Sequence, residues 1–400
     1  MTARPPLPTL LGAGLLLVAG CSTAVPGVAT HERPPAVSAG PLTEELGDLD
    51  LVEAVGNPGA RLFDLAAQPD GSTLALLGDP DGYGRTGWLV RLVPGPGGLQ
   101  VEEVTELPGF VEYSQVLTAG DGTVVVVGVA PGAEGYGLTV AAVHDGEVVE
   151  HLVDAGVDGT PDTTAAALSP DGTTVYVAGY WREDGEGSRL LAVDVGSGEV
   201  EESAPLGLET PGEAVLYDLA VGPDGDLLAL AALDRDADGE ESGAVLARYD
   251  RDLEPAAEPV ELVADEPDSV TGALHVRPDG TVLATVTAGH YVTGDPRLVV
   301  VRGGEVVESI ELEDTSDAPH HLAADPDGRY AYLPYNTTTY EPTLVTLDLT
   351  TGEVVASVPL CGDGGGGVGF VVLAADARTV TTGSACFVRV GATSTVSLIG

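Results

Sequence analysis

A tight turn, usually Pro-Asp-Gly, returns seven times along this chain. It stands at Pro69-Asp70-Gly71, Gly120-Asp121-Gly122, Pro170-Asp171-Gly172, Pro223-Asp224-Gly225, Pro278-Asp279-Gly280 and Pro326-Asp327-Gly328, with a degenerate copy at Ala375-Asp376-Ala377. The aspartates are 51, 50, 53, 55, 48 and 49 residues apart. Proline presets φ at the entrance, aspartate accepts from nearby backbone N–H groups, and glycine takes positive φ. Short apolar runs flank each turn, as in Tyr217-Asp218-Leu219-Ala220-Val221 before and Val175-Tyr176-Val177-Ala178 after. Such a pair reads as a hairpin. A third run and a Gly-containing turn into a fourth complete each unit, as in Leu344-Val345-Thr346-Leu347-Asp348 and Gly352-Glu353-Val354-Val355-Ala356. A period near 50 residues with four short strands is that of a propeller blade. The predicted fold is all-β: a seven-bladed β-propeller of four-stranded antiparallel blades over residues 46–400.

Two stretches carry a more specific likeness. Residues 325–360 (DPDGRYAYLPYNTTTYEPTLVTLDLTTGEVVASVPL) and 169–206 (SPDGTTVYVAGYWREDGEGSRLLAVDVGSGEVEESAPL) resemble the YVTN-type β-propeller repeat family. That resemblance implies the same architecture. Its members include lactonase-like enzymes, metal-containing reductases and surface binders, so it does not select an activity. The chain ends at Gly400, one strand short of a full seventh blade. Asp48 to Val55 is the unassigned strand-like segment expected to close the ring from the N-terminal side, which would remove the open edges.

The inner strand of each blade should line the central channel. Six residues before the turn aspartates stand Asp64, Gln115, Ala165, Asp218, Ala273, His321 and Phe370, and one position earlier stand Tyr217 and His320. The cluster expected near the channel mouth is Asp64, Gln115, Asp218, His320 and His321. Two histidines with two carboxylates could hold a metal or a polar ligand. Against this, neighbouring residues of a regular strand face opposite ways. A hydrated polar lining is the alternative.

The loops between second and third strands open on that same end. They collect Tyr83, Tyr136, Tyr180, Trp181, Tyr291, Tyr335 and Tyr340, in a chain with 12 tyrosines and two tryptophans. Exposed, these rings would make a contact face for a protein, peptide or glycan; otherwise each covers its own blade. Asp234, Asp236, Asp238 and Glu240 lie in a D-x-D-x-D-G stretch that resembles the start of a calcium loop. The twelfth position is Val245, so the closing glutamate is absent, and a solvated acidic hairpin is the alternative. Cys361 and Cys386 should lie at this end of adjacent blades and are expected to form a disulfide.

The N-terminus reads as an export signal. One arginine precedes a short apolar run from Leu7 to Ala19, followed by Val18-Ala19-Gly20-Cys21. This resembles a bacterial lipobox. Residues 1–20 would then be removed, Cys21 would carry the acyl chains, and Pro-rich residues 21–45 would form a tether. The expected location is extracytoplasmic, on a membrane. The formal charge is −47, and all 16 basic residues are arginine. Nucleic acid is a poor partner for such a chain. No G-x-S-x-G, H-E-x-x-H, C-x-x-C or P-loop motif occurs. The leading expectation is a non-catalytic binding or scaffolding lipoprotein, of the kind that serves a larger envelope complex. A lactonase-like hydrolase and a small-solute receptor, both using the channel mouth, are the alternatives.

Overall fold

A computed structural model describes residues 40–79, 86–108, 112–131, 136–144, 146–156, 164–181, 187–206, 208, 214–233, 243–263, 269–289, 294–315, 318–361, 366–375, 377–388 and 391–400. They form seven four-stranded antiparallel sheets. Blade 1 comprises Arg61–Ala67, Thr73–Gly78, Thr86–Gly95 and Gly98–Pro108; blade 2 comprises Glu112–Thr118, Val124–Pro131, Tyr136–His144 and Glu147–Leu152. Blade 3 runs Thr164–Leu168, Thr174–Trp181, Gly187–Asp194 and Val200–Pro205; blade 4 runs Ala214–Val221, Leu227–Leu233, Gly243–Tyr249 and Val260–Glu261. Blade 5 has Val270–Val276, Val282–Ala288, Asp295–Arg302 and Glu305–Glu311; blade 6 has Ala323–Ala324, Tyr330–Asn336, Pro342–Asp348 and Glu353–Pro359. Blade 7 takes Gly366–Leu373, Val380–Val388 and Gly391–Ile399 from the C-terminal end and Glu45–Asp50 from the N-terminal side.

The recurring turn has one geometry throughout. Gly71 N donates to Gln68 O at 3.0 Å, and the same bond recurs from Gly122, Gly172, Gly225, Gly280, Gly328 and Ala377. The turn aspartate caps it, as where Asp70 Oδ1 accepts from Ser72 N at 2.9 Å. Blade 6 departs, because there Asp325 Oδ1 accepts from Asp327 N at 2.6 Å. Ala377 holds φ +55° where the other copies have glycine.

The second strands, such as Thr73–Gly78 and Val282–Ala288, are buried on both faces, so alternation deals their side chains to the two neighbouring blades. In Thr174–Trp181, Val175 and Val177 pack with Val125 and Val127 of blade 2. Tyr176 and Ala178 pack with Leu216 and Leu219 of blade 4. Seven such apolar clusters result, one per junction, the last joining Leu65 and Leu77 of blade 1 to Val396 and Leu398 of blade 7.

The closing strand differs in extent from the expectation. It pairs as Leu49↔Val396 and ends at Asp50. There Asp50 turns the chain into a short helix, Leu51–Val55, by accepting from Val52 N at 2.9 Å. Leu51 is fully buried, so its apolar character serves a helical turn and not a strand. Packing also begins ahead of residue 46. Leu42 is buried among blades 6 and 7, and Tyr332 Oη donates to Gly40 O at 3.2 Å.

Candidate functional site

The channel layer is built by the inner strands at the residue opposite the middle of each second strand. Asp64 pairs with Leu76, Gln115 with Val127, Asp218 with Leu230, and Phe370 with Gly383. Each of these four strands bulges immediately before that residue. A bulge re-aims the next side chain and frees backbone groups. The layer uses those freed groups.

Asp64 and Asp218 make the same connection in blades 1 and 4. Asp64 Oδ1 accepts from Leu65 N at 2.8 Å, and its Oδ2 accepts from Val116 N of blade 2 at 2.9 Å. Asp218 Oδ1 accepts from Leu219 N at 2.8 Å, and its Oδ2 accepts from Leu274 N of blade 5 at 2.8 Å. Each carboxyl therefore fastens its own strand to the next blade. Burial pushes both carboxyls up to about 7, against the lowering effect of the backbone N–H groups. The charge of Asp218 adds a smaller push to the rise at Asp64.

His321 sits beside Phe370, with ring centres 4.6 Å apart and tilted by 56°. Burial, with a smaller contribution from His320, pushes its imidazole down to about 3. His321 is thus neutral at physiological pH, whereas His320 is exposed. The expectation that they sit on a regular strand fails, since the inner strand of blade 6 shrinks to Ala323–Ala324. Pro319 lacks a donor for a ladder. Instead its carbonyl accepts from Thr285 Oγ1 of blade 5 at 2.5 Å, while Ala318 N donates to Thr287 Oγ1 at 2.9 Å. Gly272 makes this approach feasible: a Cβ there would lie 2.2 Å from Pro319 O. These threonines were not singled out from the sequence, although Thr285 and Thr287 interrupt an otherwise apolar second strand. Gln115 leaves Oε1 buried with no hydrogen-bond partner among the described residues.

The aromatic face needs correction. Trp181 is only 1% exposed and packs with Val175 and Val177 against blade 2. Tyr335 is 6% exposed, with its hydroxyl donating to Glu313 O at 3.4 Å. Neither ring is available for contact. Strand alternation carried the missed signal: Trp181 shares the parity of Val175 and Val177, and Tyr335 that of Ala331 and Leu333. Tyr340 is 71% exposed. Tyr83, Tyr291 and the loop of Asp234, Asp236, Asp238 and Glu240 lie outside the described residues, as do Cys21 and the side chains of Tyr136 and Tyr180. Cys361 and Cys386 are joined by a disulfide, with Cα atoms 5.4 Å apart. It ties the exit of blade 6 to the second strand of blade 7. Among the described residues no three His, Cys, Asp or Glu side chains converge as a metal site.

No protein-family model matches the chain, and no curated protein matches it. Solved structures do. The hydrazine synthase of Kuenenia stuttgartiensis is similar with a TM-score of 0.56 and 17% identity, over 81% of this chain and 92% of that one. Raptor of Chaetomium thermophilum is similar with a TM-score of 0.59 and 9% identity, over 90% of this chain and 29% of Raptor. At these identities the likeness is one of fold.

Proposed function

We propose that this chain is an exported lipoprotein, held on a membrane by acyl chains on Cys21, whose propeller works as a non-catalytic binding or scaffolding module. The observation that carries the non-catalytic part is the commitment of both channel carboxyls. Asp64 and Asp218 titrate near 7, where acid–base chemistry would want them. Yet every one of their oxygens holds a backbone N–H, and each carboxyl locks two blades. A lactone hydrolase would need such a group free to face its substrate. The disulfide supports an oxidising compartment, in keeping with the lipobox-like leader. The loop end of the ring, with exposed Tyr340 and His320, is the working face under this reading.

Two measurements on cells test it. Labelled palmitate should enter the wild type and not Cys21→Ser. Crosslinking with mass spectrometry should recover a specific neighbour whose yield falls at least fivefold in Tyr340→Ala. An unlabelled wild type removes the anchor. Neighbours identical in the two forms remove Tyr340 from the working face.

A small-solute receptor is the second reading, favoured by the orphan Oε1 of Gln115. A buried acceptor without a donor costs about 1–3 kcal/mol, which a bound donor would relieve. A solute that raises the melting temperature of the wild type, and not of Gln115→Leu, would establish it.

A further inference from the structure

The end of the ring opposite the disulfide carries the turns between first and second strands and between third and fourth strands. Clefts open there between neighbouring blades, and one stands apart. The cleft between blades 3 and 4 has a volume of about 970 Å³, against about 360 Å³ between blades 4 and 5 and about 290 Å³ between blades 1 and 2. Its charge differs as much as its size. Blade 3 contributes Asp171, Glu201 and Glu202, and blade 4 contributes Asp224, Asp226, Asp250 and Asp252. Arg251 is the cation of the lining, 83% exposed and 3.8 Å from Asp252. The cleft between blades 1 and 2 instead sets Arg91 and His144 against Glu103 and Asp121.

Part of each wall is held by contacts within the chain. Asp171 accepts from Ser169 Oγ at 2.7 Å, Asp250 accepts from Asp252 N at 3.0 Å, and Arg248 pins Asp224 and Asp226. At the cleft floor lies Tyr176. It is only 5% exposed, held between the apolar faces of blades 3 and 4. Its hydroxyl has no protein partner among the described residues, and the phenol lines the cleft. A buried ring whose hydroxyl opens on an acidic cleft offers a deep contact for an incoming donor.

We propose that this cleft binds a polycationic peptide segment, with Glu201, Glu202 and Asp252 taking its arginine or lysine side chains and Tyr176 Oη accepting a hydrogen bond from one of them. The carboxylates are spread along two walls and do not converge on one point. Several separated charges on an extended chain fit that layout better than a single ion. Held dipoles and low-dielectric walls focus such a field beyond what the total charge gives. The site lies on the face away from Tyr340, so it is a second surface of the proposed binding module and can fail while the first stands.

The test is fluorescence anisotropy of a labelled hexa-arginine peptide with the full chain at roughly physiological salt, about 0.15 M NaCl. Three proteins are compared: wild type, the cleft variant Glu201→Gln/Glu202→Gln/Asp252→Asn, and a control with equal charge loss, Glu305→Gln/Glu308→Gln/Glu311→Gln on the outer strand of blade 5. All six positions are exposed, so folding is not at stake. The cleft variant should weaken binding at least tenfold and the control less than twofold. Equal weakening in both would assign the attraction to the field of the whole chain and overturn the site. Tyr176→Phe should weaken binding about threefold; an unchanged Kd would overturn the cleft floor as the seat.

Discussion

At the scale of residues, burial decides what each polar or aromatic group does. Trp181 is the plainest case: it belongs to the wall between blades 2 and 3. Removing a buried tryptophan side chain leaves a cavity and costs about 3–5 kcal/mol. Trp181→Ala should therefore lower the urea midpoint sharply, where an exposed binding anchor would leave it unchanged. The channel carboxyls make a second prediction, through linkage. Asp64 and Asp218 rise from 3.8 to about 7 on folding, so their contribution is full below pH 4 and is lost as pH climbs through 7. His321 and His275 run the other way. Burial takes them from 6.5 down to about 3 and about 4, with His320 and Arg277 adding smaller pushes, so stability is lost as pH falls below 6.5. The two pairs oppose one another between pH 4 and pH 6.5. Comparing wild type with Asp64→Asn/Asp218→Asn isolates the carboxyls: the wild type should lead by more at pH 5 than at pH 8. A gap that does not change with pH would mean that the carboxyls titrate normally in the fold. The position of these residues along the chain is legible, because their distance from each turn aspartate is constant. It could not mark what the carboxyls hold, because Val116 and Leu274 sit 52 and 56 residues away.

At the scale of elements, the seven turns and their flanking strands were legible because turn chemistry is local. Elements set by contacts from elsewhere were not. The closing strand stops at Asp50 because that side chain caps a helical turn, a choice that Leu51 settles only by burial against blades 1 and 7. The inner strand of blade 6 shortens because Pro319 bonds across to Thr285. Both irregularities flank the closure, and so does the disulfide. Cys361 and Cys386 are separated by 25 residues, a loop for which the chain-entropy model gives about 3.5 kcal/mol. Cys361→Ser/Cys386→Ser should lose a stability of that order. Hydrogen exchange should rise first in Gly366–Leu373 and Val380–Val388, the strands the bond holds to blade 6. Loss spread evenly over all seven blades would show that the bond acts only on the unfolded chain.

At the scale of the whole molecule, charge is what the blades leave unbalanced. With 63 acidic and 16 basic residues, most carboxylates have no cation to pair with, whatever the local geometry. Among the described residues several ion pairs lie on the surface, such as Arg91 with Glu102 at 3.0 Å and Arg248 with Asp226 at 2.6 Å. Such pairs contribute about 0–1 kcal/mol each and weaken in salt. Self-repulsion among the remaining carboxylates acts across the entire ring and also weakens in salt, as the screening length falls from about 30 Å at 0.01 M to about 3 Å at 1 M. The two effects have opposite signs, and the repulsive one has far more members. Sodium chloride should therefore raise the melting temperature by several degrees between about 0.01 M and about 1 M. The same acidity repels an anionic membrane, which leaves attachment to the acyl chains of Cys21 under the reading proposed above. Calorimetry across that salt range decides the matter. A rising melting temperature identifies repulsion as the stronger of the two effects; a falling one would mean that the few arginine pairs outweigh it, and that charge on this surface is locally organised to a degree its composition does not suggest.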